Sequence, residues 1–186
     1  MNDDKIIFLD MDGVLVDFMT GALKLFDRVD LLEDWPEGCE SVYKALGILS
    51  SEFWDKVHNE GPDFWANLEP YPWFQYLMHG ASCHGEVFLL TSPSRHPSCV
   101  AGKKMWINKW LKPNYRNYIF CPGEHKHLMA DSNRILIDDF ESTCNAFGQS
   151  GGTFFIFGRP WNINYKAESG WSECERIINW LKRNYD

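Results

Sequence analysis

The chain has 186 residues, a formal net charge of −8, and is 45% hydrophobic and 16% aromatic. That length suits one globular domain with at most a small inserted subdomain, and the apolar content excludes a disordered chain. The acidic balance argues against sequence-independent binding of duplex DNA or RNA, which needs a basic surface, but not against a phosphorylated small molecule held by local cations and a metal.

The first residues, MNDDKIIFLD, lack the basic segment and cleavage pattern of a secretory leader. No apolar run is long enough to span a bilayer, so neither export nor a membrane anchor is expected. Cys39, Cys83, Cys99, Cys121, Cys144 and Cys174 are scattered and form no CxxC. Free thiols in a reducing cytoplasm are expected. Cys83-His84, Cys121, His125 and His127 offer zinc-type ligands but not the ordered, paired spacing of a zinc module, so they read as loop histidines and buried thiols.

In chain order, the first predicted element is a strand over Lys5–Asp10. A stretch from about Phe18 to about Glu69 follows, rich in Trp, Phe and Leu and broken at Trp35–Gly38 and Gly61–Pro62; it reads as several helices. Further strands are predicted at Glu86–Thr91, Tyr118–Cys121, Arg134–Asp138 and Thr153–Phe157. None alternates cleanly between polar and apolar, as expected for strands covered on both faces. Helical patterns occupy Pro97–Leu111, Glu141–Gln149 and Trp171–Asn184, the last with a capping-box-like Ser172-x-x-Glu175. This order predicts an α/β fold: a Rossmann-like, doubly wound parallel sheet with a small α-helical cap inserted after the first strand. The expected division is a core of residues 1–17 and 70–186 and a cap of residues 18–69.

Such a sheet gathers its functional residues at the carboxyl ends of its strands. Asp10 ends the first predicted strand, with Asp12 two residues on; Thr91-Ser92 ends the second, and Asp138-Asp139 ends the fourth. Singly, these are ordinary features: a solvated turn, a loop Thr-Ser-Pro, a helix N-cap. Together they would put four carboxylates in one crevice, which requires a divalent cation, and hard oxygen ligands select Mg²⁺. The expected metal set is Asp10, Asp12, Asp138 and Asp139.

With those residues in place, the sequence resembles the haloacid dehalogenase superfamily of phosphohydrolases. Asp10-Met11-Asp12-Gly13-Val14 matches its first motif and Thr91 its second. Lys126 is the candidate for the third, with Asp131-Ser132-Asn133 inserted before the fourth, Asp138-Asp139. DMDGVLVDF, LLTSPS, LIDDF, Cys99…Lys103-Lys104-x-Trp106 and Phe64-Trp65-x-x-Leu68-Glu69-Pro70-x-Pro72 resemble the 5'(3')-deoxyribonucleotidase branch. The resemblance implies a phosphoric monoester hydrolase using Mg²⁺. Asp10 would be the nucleophile, Asp12 the general acid and base, and Thr91 and Ser92 would hold the phosphoryl oxygens. Lys126 would balance charge, Asp138 would bind the metal, and Asp139 would orient a ligand or metal-bound water. Phe18, Phe64 and Trp65 would wall a base-binding slot, and either Lys103 or Lys104 would contact phosphate. Spacing from Thr91 favours Lys104 and spacing from Trp106 favours Lys103. Branch members suggest a nucleoside monophosphate substrate, preferably deoxy, and a homodimer. The alternatives are a phosphatase of another small metabolite on the same scaffold and an inactive nucleotide-binding member.

Overall fold

The computed structural model describes residues 5–165 and 170–185. Five parallel strands form one sheet in the order β3-β2-β1-β4-β5. Central β1 (Ile6–Leu9) lies between β2 (Glu86–Thr91) and β4 (Arg134–Asp138), with β3 (Tyr118–Phe120) and β5 (Thr153–Ile156) at the edges. The doubly wound α/β fold is as expected. The first strand, however, stops at Leu9, which leaves Asp10 just past the strand end, its N–H still donating to Ile137 O at 2.9 Å.

The unbroken apolar runs reflect burial on both faces of the sheet. Successive strand residues point to opposite faces, and both faces are covered. Ile7, Leu9, Leu89, Ile135 and Ile137 enter the larger core cluster, while Phe8, Leu90 and Leu136 enter the smaller one. Between β2 and β3, α6 (Pro97–Trp110) supplies Cys99, Trp106 and Ile107 to the larger cluster. Between β4 and β5, α7 (Glu141–Gln149) supplies Phe147 to the smaller. The larger cluster also takes Phe74, Leu77 and Ala81 from α5 (Phe74–Ser82) and Cys174, Ile177 and Leu181 from α8 (Gly170–Tyr185).

Two local readings change. The helix α5 has no counterpart among the predicted elements, since Gly80 interrupts its pattern. That glycine is a packing device: a Cβ there would meet Ile178 Cδ1 at 2.3 Å, so its absence lets α5 approach α8. Ser172 does not cap α8, because the helix already includes Gly170 and Ser172 lies inside the first turn.

Residues 18–69 carry α1 (Phe18–Lys24), a 3₁₀ turn (Val29–Leu32), α2 (Val42–Ala45), α3 (Ser50–Asn59) and α4 (Gly61–Ala66). The chain leaves and returns side by side: Asp17 N–H donates to Glu69 O and Tyr71 N–H to Leu15 O, both at 2.9 Å. Indole N–H groups tie the connection further, Trp73 to Val14 O at 2.9 Å and Trp106 to Leu68 O at 2.8 Å. Phe53, Val57 and Trp65 from this segment join the larger core cluster itself, so the inserted helices share one apolar interior with the sheet. All six cysteines are unpaired. Among the described residues, no helix is long and apolar enough to cross a membrane.

The α4–α6 contact depends on Gly102, where a Cβ would lie 2.2 Å from Pro62 O and 2.5 Å from Trp65 Cβ. Alanine would gain about 1 kcal/mol of helix propensity, yet neither neighbour is a flexible side-chain end that could yield. Gly102→Val should therefore destabilise the protein by about 1–3 kcal/mol through overpacking, read as a lower thermal or urea midpoint. A midpoint equal to that of the unsubstituted chain would refute this packing.

Candidate active site

The site begins with a tight turn after β1. Met11 O accepts from the N–H groups of Val14 (3.3 Å), Leu15 (2.8 Å) and Val16 (2.8 Å), which curls the chain back and leaves Asp10 and Asp12 on its inner side. Gly13 is needed there twice over. Its φ is +82°, which side chains other than glycine's rarely adopt, and a Cβ would come 2.1 Å from Asp139 Oδ2.

Asp10, Asp138 and Asp139 are buried, and each offers an oxygen within 4.8 Å of the others. Lys126, only 2% exposed, donates to Asp10 Oδ1 at 2.8 Å and Asp138 Oδ2 at 2.7 Å. Burial alone would push its ammonium pKa down, but the two carboxylates outweigh burial and hold it above the ordinary lysine value. Burial raises Asp138 despite Lys126. It raises Asp139 well above the usual range, with the charges of Asp138 and Asp10 adding to the effect. The inserted Asp131-Ser132-Asn133 does not displace Lys126. Lys126 sits on a 3₁₀ helix (Gly123–Met129), and a turn closed by Arg134 N–H to Asp131 O takes up the extra residues before β4.

Asp12, also expected among the metal ligands, is not one of the three clustered carboxylates. Its Oδ2 accepts from Lys103 Nζ at 2.6 Å, so this carboxylate is neutralised by a lysine. The same ammonium donates to Thr91 Oγ1 at 2.6 Å and to Ser92 O at 3.3 Å. Burial raises the Asp12 pKa, and Lys103 counters only part of that. Helix geometry sends the adjacent lysines to different partners. Lys103 faces the sheet from α6 and is buried; Lys104, one residue on and so rotated about 100°, leaves the site for Tyr118, whose hydroxyl it meets at 2.6 Å.

These groups open on a cavity of about 720 Å³. Asp10, Asp12, Lys126, Asp138 and Asp139 line it, together with the aromatic rings of Phe18, Trp54 and Trp65. Phe64, expected in that wall, stands behind it, edge-on to both Phe18 (6.1 Å) and Trp65 (5.2 Å). Ser92 reaches the cavity and its Oγ accepts from Gly123 N–H at 3.1 Å. Sequence reasoning missed Trp54, one of many aromatics in the inserted segment with no local signal to single it out. It also missed Trp161, which lines the cavity and donates to Asp139 Oδ2 at 2.5 Å. A signal for Trp161 existed: Arg159-Pro160-Trp161-Asn162 follows β5, so it lies at the same carboxyl end of the sheet as the aspartates.

A sequence model of the family "5' nucleotidase, deoxy (Pyrimidine), cytosolic type C protein" matches residues 4–184. The cytosolic-type 5'(3')-deoxyribonucleotidase of Homo sapiens is 30% identical over 145 residues, covering 72% of this chain and 69% of the relative. The mitochondrial 5'(3')-deoxyribonucleotidase of Mus musculus is 31% identical over 148 residues, covering 72% and 63%. Among solved structures, a subfamily IA hydrolase of the haloacid dehalogenase superfamily from Geobacter sulfurreducens shares the fold. Its TM-score is 0.54 at 15% identity, with 96% of each chain covered. Since the family match runs through both the inserted helices and the sheet that carries the aspartates, this chain belongs to the 5' nucleotidase, deoxy (pyrimidine), cytosolic type C family.

Proposed function

We propose that this chain is a Mg²⁺-dependent phosphomonoesterase that dephosphorylates deoxyribonucleoside monophosphates through an aspartyl-phosphate on Asp10. The observation that carries this reading is Lys126, bonded to both Asp10 and Asp138 in a cavity also lined by Phe18, Trp54 and Trp65. Names of the relatives support the substrate class, since both are 5'(3')-deoxyribonucleotidases. In this reading residues 18–69 are the cap over a core of residues 1–17 and 70–186, and six unpaired cysteines suit a reducing cytoplasm.

The residues present fit a divalent cation. One lysine offsets two of three clustered, buried carboxylates, and hard oxygen donors suit Mg²⁺. When bound by Asp10, Asp138 and Asp139, the cation would offset their charge and that of the phosphoryl group. The Asp10 carboxylate attacks phosphorus; an oxygen–phosphorus bond forms and the bond to the nucleoside oxygen breaks. Asp12, whose raised pKa suits a proton carrier, protonates that leaving oxygen. It then takes a proton from the water that releases phosphate and restores Asp10. Lys103 keeps the Asp12 carboxyl beside Thr91 and Ser92, where the phosphoryl oxygens would lie. The Phe18 and Trp65 rings stack on each other at 5.4 Å and 12°, so a base rests against their wall and not between them. That apolar wall gives a 2'-hydroxyl no partner, which disfavours ribonucleotides.

Phosphate release over a panel of monophosphates tests the reading. With Mg²⁺, dUMP and dTMP should be turned over faster than ribonucleotides or sugar phosphates, and chelator should abolish release until the metal is returned. A panel won by sugar phosphates would remove the nucleotidase reading, and full activity in excess chelator would remove the metal. Asp10→Asn should be inactive while remaining folded. Phe18→Ala should raise KM for the nucleotides more than for a small aryl phosphate, because stacking acts on the base.

The two adjacent lysines give a second test. Lys103→Ala should lower kcat by roughly 10²-fold, the usual scale for one lost proton-transfer or charge-stabilising group, and Lys104→Ala should leave kcat within about twofold. The reverse pattern in steady-state kinetics would show that the wrong lysine serves the site.

A further inference from the structure

Of the three clustered carboxylates, Asp10 and Asp138 share Lys126, whereas Asp139 receives no lysine. What it receives comes from the loop after β5. Trp161 Nε1 donates to Asp139 Oδ2 at 2.5 Å, and Asn162 Nδ2 donates to the Asp139 backbone oxygen at 2.8 Å. The loop therefore grips residue 139 at two points. It is itself pinned: Asn162 Nδ2 also donates to Phe157 O at 2.9 Å, and Asn162 Oδ1 accepts from the N–H groups of Arg159 and Asn164, both at 3.2 Å. The indole is 2% exposed, with the Arg159 guanidinium 4.9 Å from its ring centre and the Trp35 ring edge-on at 5.8 Å. The Gly13 backbone stands against the same oxygen, its missing Cβ making room for Asp139 Oδ2.

An indole N–H donates and never accepts. Held rigidly at Oδ2, it fixes the rotation of the Asp139 carboxylate. We propose that Trp161 is a positioning residue for cation binding: it holds Asp139 so that one carboxylate oxygen stays within reach of those of Asp10 and Asp138. This rests on the metal reading above and goes beyond it by assigning a role to a residue that acts through Asp139. Groups that orient metal ligands typically change affinity 10–100-fold when removed.

The test measures ion binding without turnover. Mn²⁺, which replaces Mg²⁺ among oxygen ligands and has a readable free-ion EPR signal, is titrated into substrate-free protein. Trp161→Phe keeps an aromatic ring and removes the N–H; it should raise the Mn²⁺ Kd about tenfold or more. At saturating metal, KM for a small aryl phosphate should stay within about twofold. Benzothienylalanine installed at 161 keeps the bicyclic shape and replaces N–H by sulfur. It should reproduce the Kd increase with an unchanged thermal midpoint, which separates the hydrogen bond from packing. Trp35→Phe, which changes the packing around the indole and gives up the Trp35 N–H bond to Cys39 O (2.7 Å) but leaves the Trp161–Asp139 bond, should leave Kd within about twofold. Equal Mn²⁺ affinity in the unsubstituted and benzothienylalanine proteins would overturn the role of Trp161 and leave the phosphatase reading intact. No Mn²⁺ binding by the unsubstituted protein would overturn both the metal reading and this role.

Discussion

Three carboxylates buried at neighbouring strand ends are the constraint to which the rest of the site answers. Charges about 5 Å apart repel by roughly 3 kcal/mol per pair at an effective dielectric near 20. Asp10, Asp138 and Asp139, with oxygens within 4.8 Å of one another, make three such pairs. The two short contacts to Lys126 are of the size needed to cancel that repulsion. They do not also cover the cost of removing all three groups from water, which is several kcal/mol per ion. The remainder is visible in Asp138 and Asp139, whose pKa values stay raised despite every donor the fold aims at them. A further positive charge is what the arrangement lacks, and a phosphoryl-transfer site is where a divalent cation has that use.

Topology brings the carboxylates together before any side chain adapts. β1 lies between β2 and β4, so Asp10 leaves the sheet beside Thr91 on one flank and Asp138 on the other. The two lysines then divide the charge. Lys126 enters from the 3₁₀ helix before β4 and serves Asp10 and Asp138; Lys103 enters from α6 and serves Asp12. Two carboxylates two residues apart thereby occupy different electrostatic surroundings, which is the condition for one to act as nucleophile and the other as proton carrier.

What could be read from the sequence follows the range of the forces involved. The strands were legible because burial on both faces leaves continuous apolar runs, and Asp10, Thr91 and Asp138 were legible because they sit at the ends of those runs. Lys103 against Lys104 was not, because neighbouring residues of one helix differ only in the direction they face, and the placement of Trp65 and Thr91 around α6 decides it. Asp12 was grouped with the metal ligands because spacing reports proximity and not which partner a carboxylate turns to. Phe64 and Trp65 are equally aromatic, and only the packing of α4 on α6 sends Trp65 to the cavity and Phe64 behind it. Trp161 and Asn162 are bound to Asp139 across more than twenty residues, so their place just after the fifth strand is the sequence signal that points to them.

The inserted helices matter to the chemistry because they are not packed as a separate body. Phe53, Val57 and Trp65 lie in the same apolar cluster as Ile7, Leu9 and Leu89, so the aromatic wall is held by the core that aligns the strand ends. A wall fixed in this way is pre-organised: a ligand that fits loses little to ordering the protein, and one that does not fit has nothing to displace cheaply. The two halves of the site meet at Lys103. Its ammonium is 2.6 Å from Asp12 and 5.6 Å from the centre of the Trp65 ring. An aromatic face stabilises a nearby cation, so the ring that lines the cavity also favours the charge that neutralises Asp12. In the mechanism proposed above, fit of the leaving group and restraint of the acid would both involve the same buried tryptophan, whose backbone is approached by α6 where Gly102 lacks a side chain.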